Sequence, residues 1–212
     1  MMLVKALFVF TLQLISLNSL SQINAVTGKG DEVILYEDGT WKYSNKSSSE
    51  KKEIATNETR FTKSKESTFE LKSNVVNAVI YLNPRVWSFK KEEEGTAIEY
   101  RFQLKDKDAY AMLLVERIEV PLEALSRIAF ENAKKASPDI EIVKEEYRTV
   151  NDRRVLFMQM NGTIQGIKFS YFGYYYSSKN STIQFISYTS QNLIDEYRKN
   201  LDELLNGFIP LD

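Results

Sequence analysis

Four β-prone segments follow one another between residues 140 and 189 with only short turns between them, and this pattern limits the fold more than any other part of the chain. Strands joined by such short connections form an antiparallel meander, because a parallel crossover needs about a dozen residues or more. Turns are predicted at Asn151 and Asp152 and near Asn161 and Gly162. The predicted strands are 140–150, 154–160, 166–176 and 182–189.

The strand predicted over 166–176 has apolar or aromatic side chains on both of its faces. Phe169 and Tyr175 lie on one face, whereas Phe172 and Tyr174 lie on the other, because successive side chains of a strand point to opposite sides. A strand that is open to water on one side alternates apolar and polar residues. We therefore expect both sides of the sheet to be covered at this strand.

Two helices are predicted to supply that cover. The first begins at Pro121, a residue favoured at the first helical position, and ends before Ser137 and Pro138. The second extends over 192–206, and Gly207 predicts a left-handed C-terminal cap. The expected fold class is α+β, an α/β sandwich with a mostly antiparallel sheet flanked by two long helices. The other predicted strands are 75–82, 96–105 and 109–119.

A small β-hairpin is predicted in residues 22–43, where DEVILYEDGTWKY places two β-prone runs around an Asp-Gly pair. A two-residue type I′ turn at this pair places Tyr36 opposite Trp41 on one face. The next pair on that face is Ile34 and Tyr43. An isolated hairpin is only marginally stable in water, so this face rests either on the rest of the chain or on a partner. These four residues are therefore candidate partner-binding residues.

Residues 44–67 are predicted to form a flexible polar linker. The apolar side chains among them are Ile54, Ala55 and Phe61. A segment of this composition buries too little apolar surface to offset the entropy lost on ordering. The predicted organisation is a signal peptide at 1–21, the hairpin at 22–43, the linker at 44–67 and the α/β domain at 68–212.

The N-terminus has the features of a signal peptide. Lys5 precedes a short apolar run over 6–15, and Ser19 and Ser21 are small residues before the cleavage site predicted between Ser21 and Gln22. The apolar run is shorter than the ~20 residues that a membrane helix requires. The mature chain is therefore expected to be exported and to carry no membrane span.

The chain contains neither histidine nor cysteine. Histidine is the usual acid or base near neutral pH, and cysteine supplies nucleophilic thiolates, disulfides and thiolate metal ligands. We therefore expect no enzymatic activity, no cofactor and no metal site. A formal net charge of -1 provides no basic field for a phosphate backbone, so nucleic acid is not an expected partner. Export without disulfides indicates a periplasmic or secreted protein of a Gram-negative bacterium.

The order of elements and three short motifs resemble the PsbP-like superfamily over residues 68–212. The motifs are LNPRVW at 82–87, PLEAL at 121–125 and LLNGF at 204–208. The superfamily includes the extrinsic photosystem II protein, a nuclear-import regulator that binds Ran, and exported bacterial relatives. The resemblance implies a PsbP-like fold and a binding or assembly role without catalysis, and it assigns no functional residue. The hairpin and the linker lie outside it.

Tyr174 and Tyr176 are two further candidate partner-binding residues. A tyrosine buries a large ring while its hydroxyl keeps a partner, so it suits both the edge of a core and a recognition surface. The predicted function is an exported, non-catalytic binding or assembly module that acts on an envelope protein or complex. The alternative is a small-molecule carrier or a His-free hydrolase with a pocket between the sheet and the helices.

Overall fold

The computed structural model describes residues 22–27, 32–44, 53–93 and 95–211. The predicted signal peptide at 1–21 lies outside the described residues, and so does Ser21 of its cleavage site, whereas Gln22 begins the first strand. Among the described residues, no helix combines the length and the apolar character needed to cross a bilayer.

The chain combines two helices with many strands in its described part. The helices are α1 (Leu122–Ala136) and α2 (Ile194–Leu205), and the 3-10 turn Gln191–Leu193 leads into α2. The strands are β1 (Gln22–Val26), β2 (Glu32–Tyr36), β3 (Trp41–Tyr43), β4 (Thr56–Phe61), β5 (Phe69–Lys72), β6 (Ala78–Leu82), β7 (Trp87–Lys91), β8 (Ile98–Leu104), β9 (Ala109–Glu116), β10 (Glu141–Val150), β11 (Arg153–Ile164), β12 (Ile167–Ser178), β13 (Ser181–Ser190) and β14 (Phe208–Pro210).

Eight strands form the large sheet in the order β4-β10-β11-β12-β13-β9-β8-β7. Every neighbouring pair is antiparallel except β4 and β10, which are parallel. The predicted meander of β10 to β13 forms the centre of this sheet, and the fold class, a mixed α+β chain with a mostly antiparallel sheet, is confirmed. Two smaller three-stranded sheets have the orders β1-β2-β3 and β14-β6-β5.

The turn predicted near Asn161 and Gly162 was wrong. Strand β11 continues to Ile164, and the chain reverses at Gln165 and Gly166, both of which have positive φ. Gly162 is needed for a different reason, because a Cβ built at this position would lie 2.5 Å from the hydroxyl oxygen of Ser137. The glycine therefore allows the segment after α1 to pack against β11.

The large sheet separates two apolar cores. Adjacent residues of β11 enter different cores, Phe157 the core beneath α2 and Met158 the core beneath α1. We call these the α2-side core and the α1-side core. Phe172 and Tyr175 of β12 likewise lie in different cores, and both are buried. The expectation that this strand is covered on both sides is confirmed.

The two helices are not long, and α2 is shorter than the predicted 192–206. α1 has 15 residues and α2 has 12, so α1 spans about 22 Å, whereas seven strand spacings make the sheet about 34 Å wide. Neither helix can cover a whole face. On the α2 side, the sheet β14-β6-β5 supplies further cover, because Ile80 and Phe208 belong to the α2-side core. The predicted sandwich with two long helices did not include this second sheet.

Gly207 does not form the predicted left-handed cap. Asn206 caps α2 with φ -66° and ψ -11°, and the described glycines with positive φ are Gly39, Gly95 and Gly166. A Cβ at Gly207 would instead overlap the backbone carbonyl oxygen of Tyr81. Glycine is required here because the chain after α2 passes directly against β6.

Part of the predicted linker belongs to the large sheet. β4 pairs with β10, while Ile54 packs against the α1-side core and Phe61 against the α2-side core. The prediction of a flexible linker is therefore wrong for residues 53–67. Composition underestimated the order of this segment, because the pairing with β10 and the docking of two apolar side chains depend on residues about ninety positions away.

Asn151 connects three parts of the domain. Its Nδ2 donates to the carbonyl oxygens of Asn206 and Phe208 at 2.8 and 3.0 Å. Its Oδ1 accepts from the backbone N–H of Lys63 at 2.9 Å, and its own N–H donates to the carbonyl of Phe61. The residue also adopts φ +48°, which asparagine tolerates better than most residues. The β10–β11 turn thereby holds both β4 and the C-terminal segment.

We expect Asn151→Ala to lower the free energy of unfolding by about 2 kcal/mol, because it removes three side-chain hydrogen bonds and leaves alanine at positive φ. Urea denaturation measures this loss. Asn180→Ala, in the exposed β12–β13 turn, is the matched control and is expected to change stability by less than about 0.5 kcal/mol. Equal effects of the two substitutions would contradict the role assigned to Asn151.

Candidate functional site

The N-terminal hairpin turns over three residues rather than two. The N–H of Tyr36 donates to the carbonyl of Thr40 at 2.9 Å, and the N–H of Gly39 donates to the carbonyl of Tyr36 at 3.0 Å. A type I′ turn needs positive φ at both central residues, but only Gly39 of the Asp-Gly pair has it, at +80°. Asp38 instead accepts hydrogen bonds from the backbone N–H and the hydroxyl of Thr40. The predicted turn type was therefore wrong.

The longer turn shifts the strand register by one residue. Leu35 lies opposite Trp41, and Val33 lies opposite Tyr43. A shift of one residue moves side chains to the other face of a strand. The four candidate residues therefore do not share one face, since Trp41 and Tyr43 lie on the face opposite to Ile34 and Tyr36.

The second face of the hairpin carries a cation over an aromatic ring. The ammonium nitrogen of Lys42 lies 5.4 Å from the centroid of the Tyr36 ring. Ile34 lies opposite Lys42 across the ladder and is only half-exposed. Ile34 and Tyr36, both predicted as partner-binding residues, thus belong to a mixed polar and apolar surface.

The first face is larger than predicted because β1 adds a third strand to the hairpin. Ile23 of β1 lies opposite Leu35, and sequence reasoning missed it, although the two glycines and the aspartate of residues 27–31 (TGKGD) are a turn signal between β1 and β2. We call the four exposed apolar side chains of this surface, Ile23, Leu35, Trp41 and Tyr43, the Trp41 face.

The side chains of the Trp41 face are strongly exposed for their size. The exposed fractions are 60% for Ile23, 37% for Leu35 and 53% for both Trp41 and Tyr43. The two aromatic rings pack edge to face with their centroids 5.2 Å apart, so they form one continuous surface above the buried Val33. Aromatic side chains bury about 150–250 Å² each, so with Ile23 and Leu35 this is a patch of roughly 400 Å², which lies in the range of the largest apolar patch of a typical monomer, a patch that is often functional.

The chemistry of the Trp41 face suits contact rather than catalysis. It offers apolar area together with one indole N–H and one phenol hydroxyl, and none of its four side chains is an acid or base near neutral pH. Tryptophan and tyrosine are, with arginine, the side chains most enriched among the dominant residues of protein interfaces. Leu35 and Ile23 flank them with apolar surface that excludes water.

Of the other two candidates, Tyr174 lies in the α2-side core and not on a surface. Its hydroxyl donates to Oδ1 of Asn206 at 2.6 Å, and burial raises its pKa to about 12. The prediction that Tyr174 contacts a partner was therefore wrong. Tyr176 is half-buried, and its ring packs against Phe208 with a centroid separation of 6.1 Å. Alternation along a strand shows on which face a side chain lies, but it does not show how deeply other elements bury that face.

A buried ion pair lies where β4 meets β10. Nε of Arg148 donates to Oε1 of Glu146 at 2.7 Å, and Nδ2 of Asn57 donates to the same oxygen at 3.0 Å. The guanidinium carbon lies 3.5 Å from the centroid of the Phe157 ring and 4.7 Å from that of Phe61. The pair therefore links β4 to the centre of the sheet.

Electrostatics keep the carboxyl group of this pair ionised. Burial raises the pKa of Glu146, but hydrogen bonds from Asn57 and Arg148 and the charge of Arg148 outweigh burial, so that this pKa lies below its ordinary value. A general acid needs the opposite shift. The arrangement is therefore that of a structural ion pair.

Two surface clefts bear on the alternative of a ligand pocket. One measures ≈110 Å³ and includes Glu66 and Arg85 in its lining, and the other measures ≈190 Å³ and includes Asp139, Asn161 and Lys168. Pockets for small molecules usually measure about 300–1,000 Å³. Neither of these clefts reaches that size, so neither supports the carrier or hydrolase alternative.

Comparison with known proteins shows a similarity in fold. No protein-family model and no curated protein matches the chain. The solution structure of cyanobacterial PsbP (CyanoP) from Synechocystis sp. PCC 6803 is similar to 68% of this chain and 93% of its own, with a TM-score of 0.52 and 11% sequence identity.

Two crystal structures are similar to the same share of the chain. One is of a protein from Bacteroides thetaiotaomicron, with 11% identity, 48% of its own chain covered and a TM-score of 0.44. The other is of a Pseudomonas aeruginosa protein of unknown function, with 9% identity, 98% of its own chain covered and a TM-score of 0.45. The fold is PsbP-like, as the sequence resemblance implies.

Proposed function

We propose that this PsbP-like chain is an exported binding or assembly module without catalytic activity. In this proposal it acts on an envelope protein or complex, in the periplasm or outside the cell, and contacts it through the Trp41 face. The function requires no cofactor and no metal ion.

One observation carries the proposal: the four side chains of the Trp41 face are 37–60% exposed and lie together on one side of a three-stranded sheet. A chain gains nothing in stability from large apolar side chains that remain in water. A partner that covered them would gain the corresponding hydrophobic free energy, and Trp41 has the chemistry of a dominant interface residue.

Two further observations agree with this proposal. The absence of histidine and cysteine removes the commonest catalytic groups from the whole sequence. The PsbP-like fold supports an assembly role as well, because the superfamily that the sequence resembles consists mostly of binding and assembly factors. Fold similarity alone does not identify a function, so the partner must be found by experiment.

Site-specific photo-cross-linking in cells tests the proposal with the full chain. A benzoylphenylalanine residue placed at Tyr43 lies on the Trp41 face, and the same residue placed at Lys42 lies on the opposite face of the same strand. We expect a discrete protein adduct from position 43 and none from position 42, with the adduct identified by mass spectrometry. Equal adducts from both positions would contradict a contact through the Trp41 face.

Binding of the identified partner to purified protein then checks the energetics. Trp41→Ala is expected to weaken the affinity at least tenfold, because truncation of a central interface tryptophan costs about 2 kcal/mol or more. Lys42→Ala is the matched control and is expected to leave the affinity unchanged within about twofold. An unchanged affinity of the Trp41→Ala variant would exclude this face as the contact.

A further inference from the structure

Among the described residues, β7 forms one edge of the large sheet and pairs with β8 on one side only. The register between the two strands runs without a bulge from Trp87 opposite Leu104 to Lys91 opposite Tyr100. The other edge strand, β4, is polar, and its ladder with β10 contains a register shift. A register shift opposes the addition of a further strand, so β7 is the more receptive edge.

The outward hydrogen-bonding groups of β7 can be assigned from its two ends. The N–H of Lys105 donates to the carbonyl of Val86, and the N–H of Glu92 donates to the carbonyl of Glu99. In an antiparallel ladder, hydrogen-bonded and non-hydrogen-bonded pairs alternate. The backbone groups of Phe89 and Lys91 therefore point away from β8 and can pair with an added strand.

An exposed aromatic pair lies beside these groups. Phe89 of β7 and Phe69 of β5 are each 40% exposed, and their ring centroids are 5.5 Å apart. β5 is itself an edge of its three-stranded sheet. The two rings therefore connect the edges of two sheets and form an exposed apolar surface on the α2 side of β7.

The opposite face of β7 carries one cation, Lys90, which lies beside Ser88 and is unpaired within the described part of the chain. Lys90 is exposed and lies opposite Arg101 of β8, and Arg101 is paired with Glu92 at 3.1 Å. Side chains of an added strand alternate between the two faces. A strand that fits this edge thus has apolar residues next to Phe89 and carboxylates next to Lys90.

We propose that the β7 edge binds an extended segment of another protein as an added strand, in which apolar and acidic residues alternate. Addition of a strand to a free sheet edge is a general mode of peptide recognition, in which the backbone gives affinity and alternate side chains give specificity. This site is separate from the Trp41 face, and the inference stands independently of the proposed function.

The charges of β7 argue against a second copy as the occupant. Pairing between two β7 strands would bring Lys90 and Lys91 of both copies onto one two-stranded ladder, and like charges across a ladder are destabilising. Lysine at a sheet edge is a common device against such self-pairing. The same lysines favour a strand that carries carboxylates.

Peptide titration of the isotope-labelled protein by nuclear magnetic resonance tests the inference. The probes are two capped octapeptides, one of alternating valine and glutamate and one of alternating valine and lysine. We expect the glutamate peptide to shift the amide signals of β7 and β8 and to bind at least tenfold more tightly than the lysine peptide. Lys90→Glu is expected to reverse this preference and, as an exposed substitution, to leave the fold intact.

The backbone contribution is tested with a matched pair of variants at position 91. Lys91→Pro removes the outward N–H but no β7–β8 hydrogen bond, whereas Lys91→Ala removes the ammonium group and its methylene chain and keeps the N–H. We expect the proline variant to lose at least tenfold more affinity for the glutamate peptide than the alanine variant.

Three results would overturn the inference. The first is that the glutamate peptide shifts no amide signal at a concentration of about 1 mM, since a dissociation constant above this value does not count as binding here. The second is an unchanged peptide preference in the Lys90→Glu protein. The third is a dimer in light scattering that Lys91→Pro dissociates, since a second copy would then occupy the edge.

Discussion

Gly207→Ala is expected to lower the free energy of unfolding by about 3 kcal/mol, a large part of the stability of an ordinary domain. The added Cβ would overlap the backbone carbonyl oxygen of Tyr81. The chain after α2 would have to move away from β6, and the 2.8 Å hydrogen bond from the N–H of Tyr81 to the carbonyl of Gly207 would be lost. Urea denaturation followed by circular dichroism measures the effect.

A substitution at a second glycine distinguishes the effect of this close approach from the effect of backbone strain. Gly166 has φ +81°, and a Cβ built on it meets nothing within 4 Å. Gly166→Ala is expected to cost only about 1 kcal/mol, the cost of an alanine in the left-handed region. If Gly207→Ala were no more destabilising than Gly166→Ala, the close packing of the C-terminal segment on β6 would be refuted.

The second large effect is expected for Arg148→Ala, which should destabilise the protein by about 3 kcal/mol. The substitution leaves the carboxylate of Glu146 buried without its closest cation and removes the guanidinium from between the rings of Phe61 and Phe157. Arg60→Ala is the matched control, because the Arg60 pair with Asp152 is exposed. Exposed pairs contribute little, so the control should cost less than about 0.5 kcal/mol.

The same ion pair gives a pH dependence of defined sign. The pKa of Glu146 is lower in the folded state than its ordinary value of 4.5, so the unfolded chain binds more protons in this range. The stabilisation by ionised Glu146 is therefore present above pH 4.5 and is lost as the pH falls through the lowered pKa.

Denaturation at several pH values checks this dependence. The stability difference between the unmodified protein and a Glu146→Gln variant is expected to be largest at neutral pH and to shrink in acid. A difference that stayed constant or grew on acidification would contradict the assigned shift in pKa.

Local periodicity predicted most elements of the PsbP-like domain. The strands β10 to β13 and the helix from 122 to 136 agree with their patterns within a few residues. The errors concern glycines and register. Gly162 and Gly207 were interpreted as turn and cap signals, but both are needed because another backbone or side chain passes close by. Such approaches involve residues far away in the sequence, so no local pattern reports them.

The candidate site was predicted in part. Aromatic residues in the strands of the hairpin indicated a contact surface, and Trp41 and Tyr43 do lie on the exposed face. Ile34 and Tyr36 lie on the other face, because Asp38 bonds to Thr40 and lengthens the turn by one residue. Ile23 joined the surface through the pairing of β1 with β2.

The sequence by itself determined the residue types, and with them the absence of histidine and cysteine, the alternation of the strands and the amphipathic helices. These properties depend on neighbours within a few positions, so they can be recognised from the sequence alone. Only the tertiary structure decided that 56–61 adds a parallel strand, that Tyr174 is buried, and that β7 remains an edge. Pairing and burial depend on which distant segments meet, and that is settled by the free energy of the whole packed sheet.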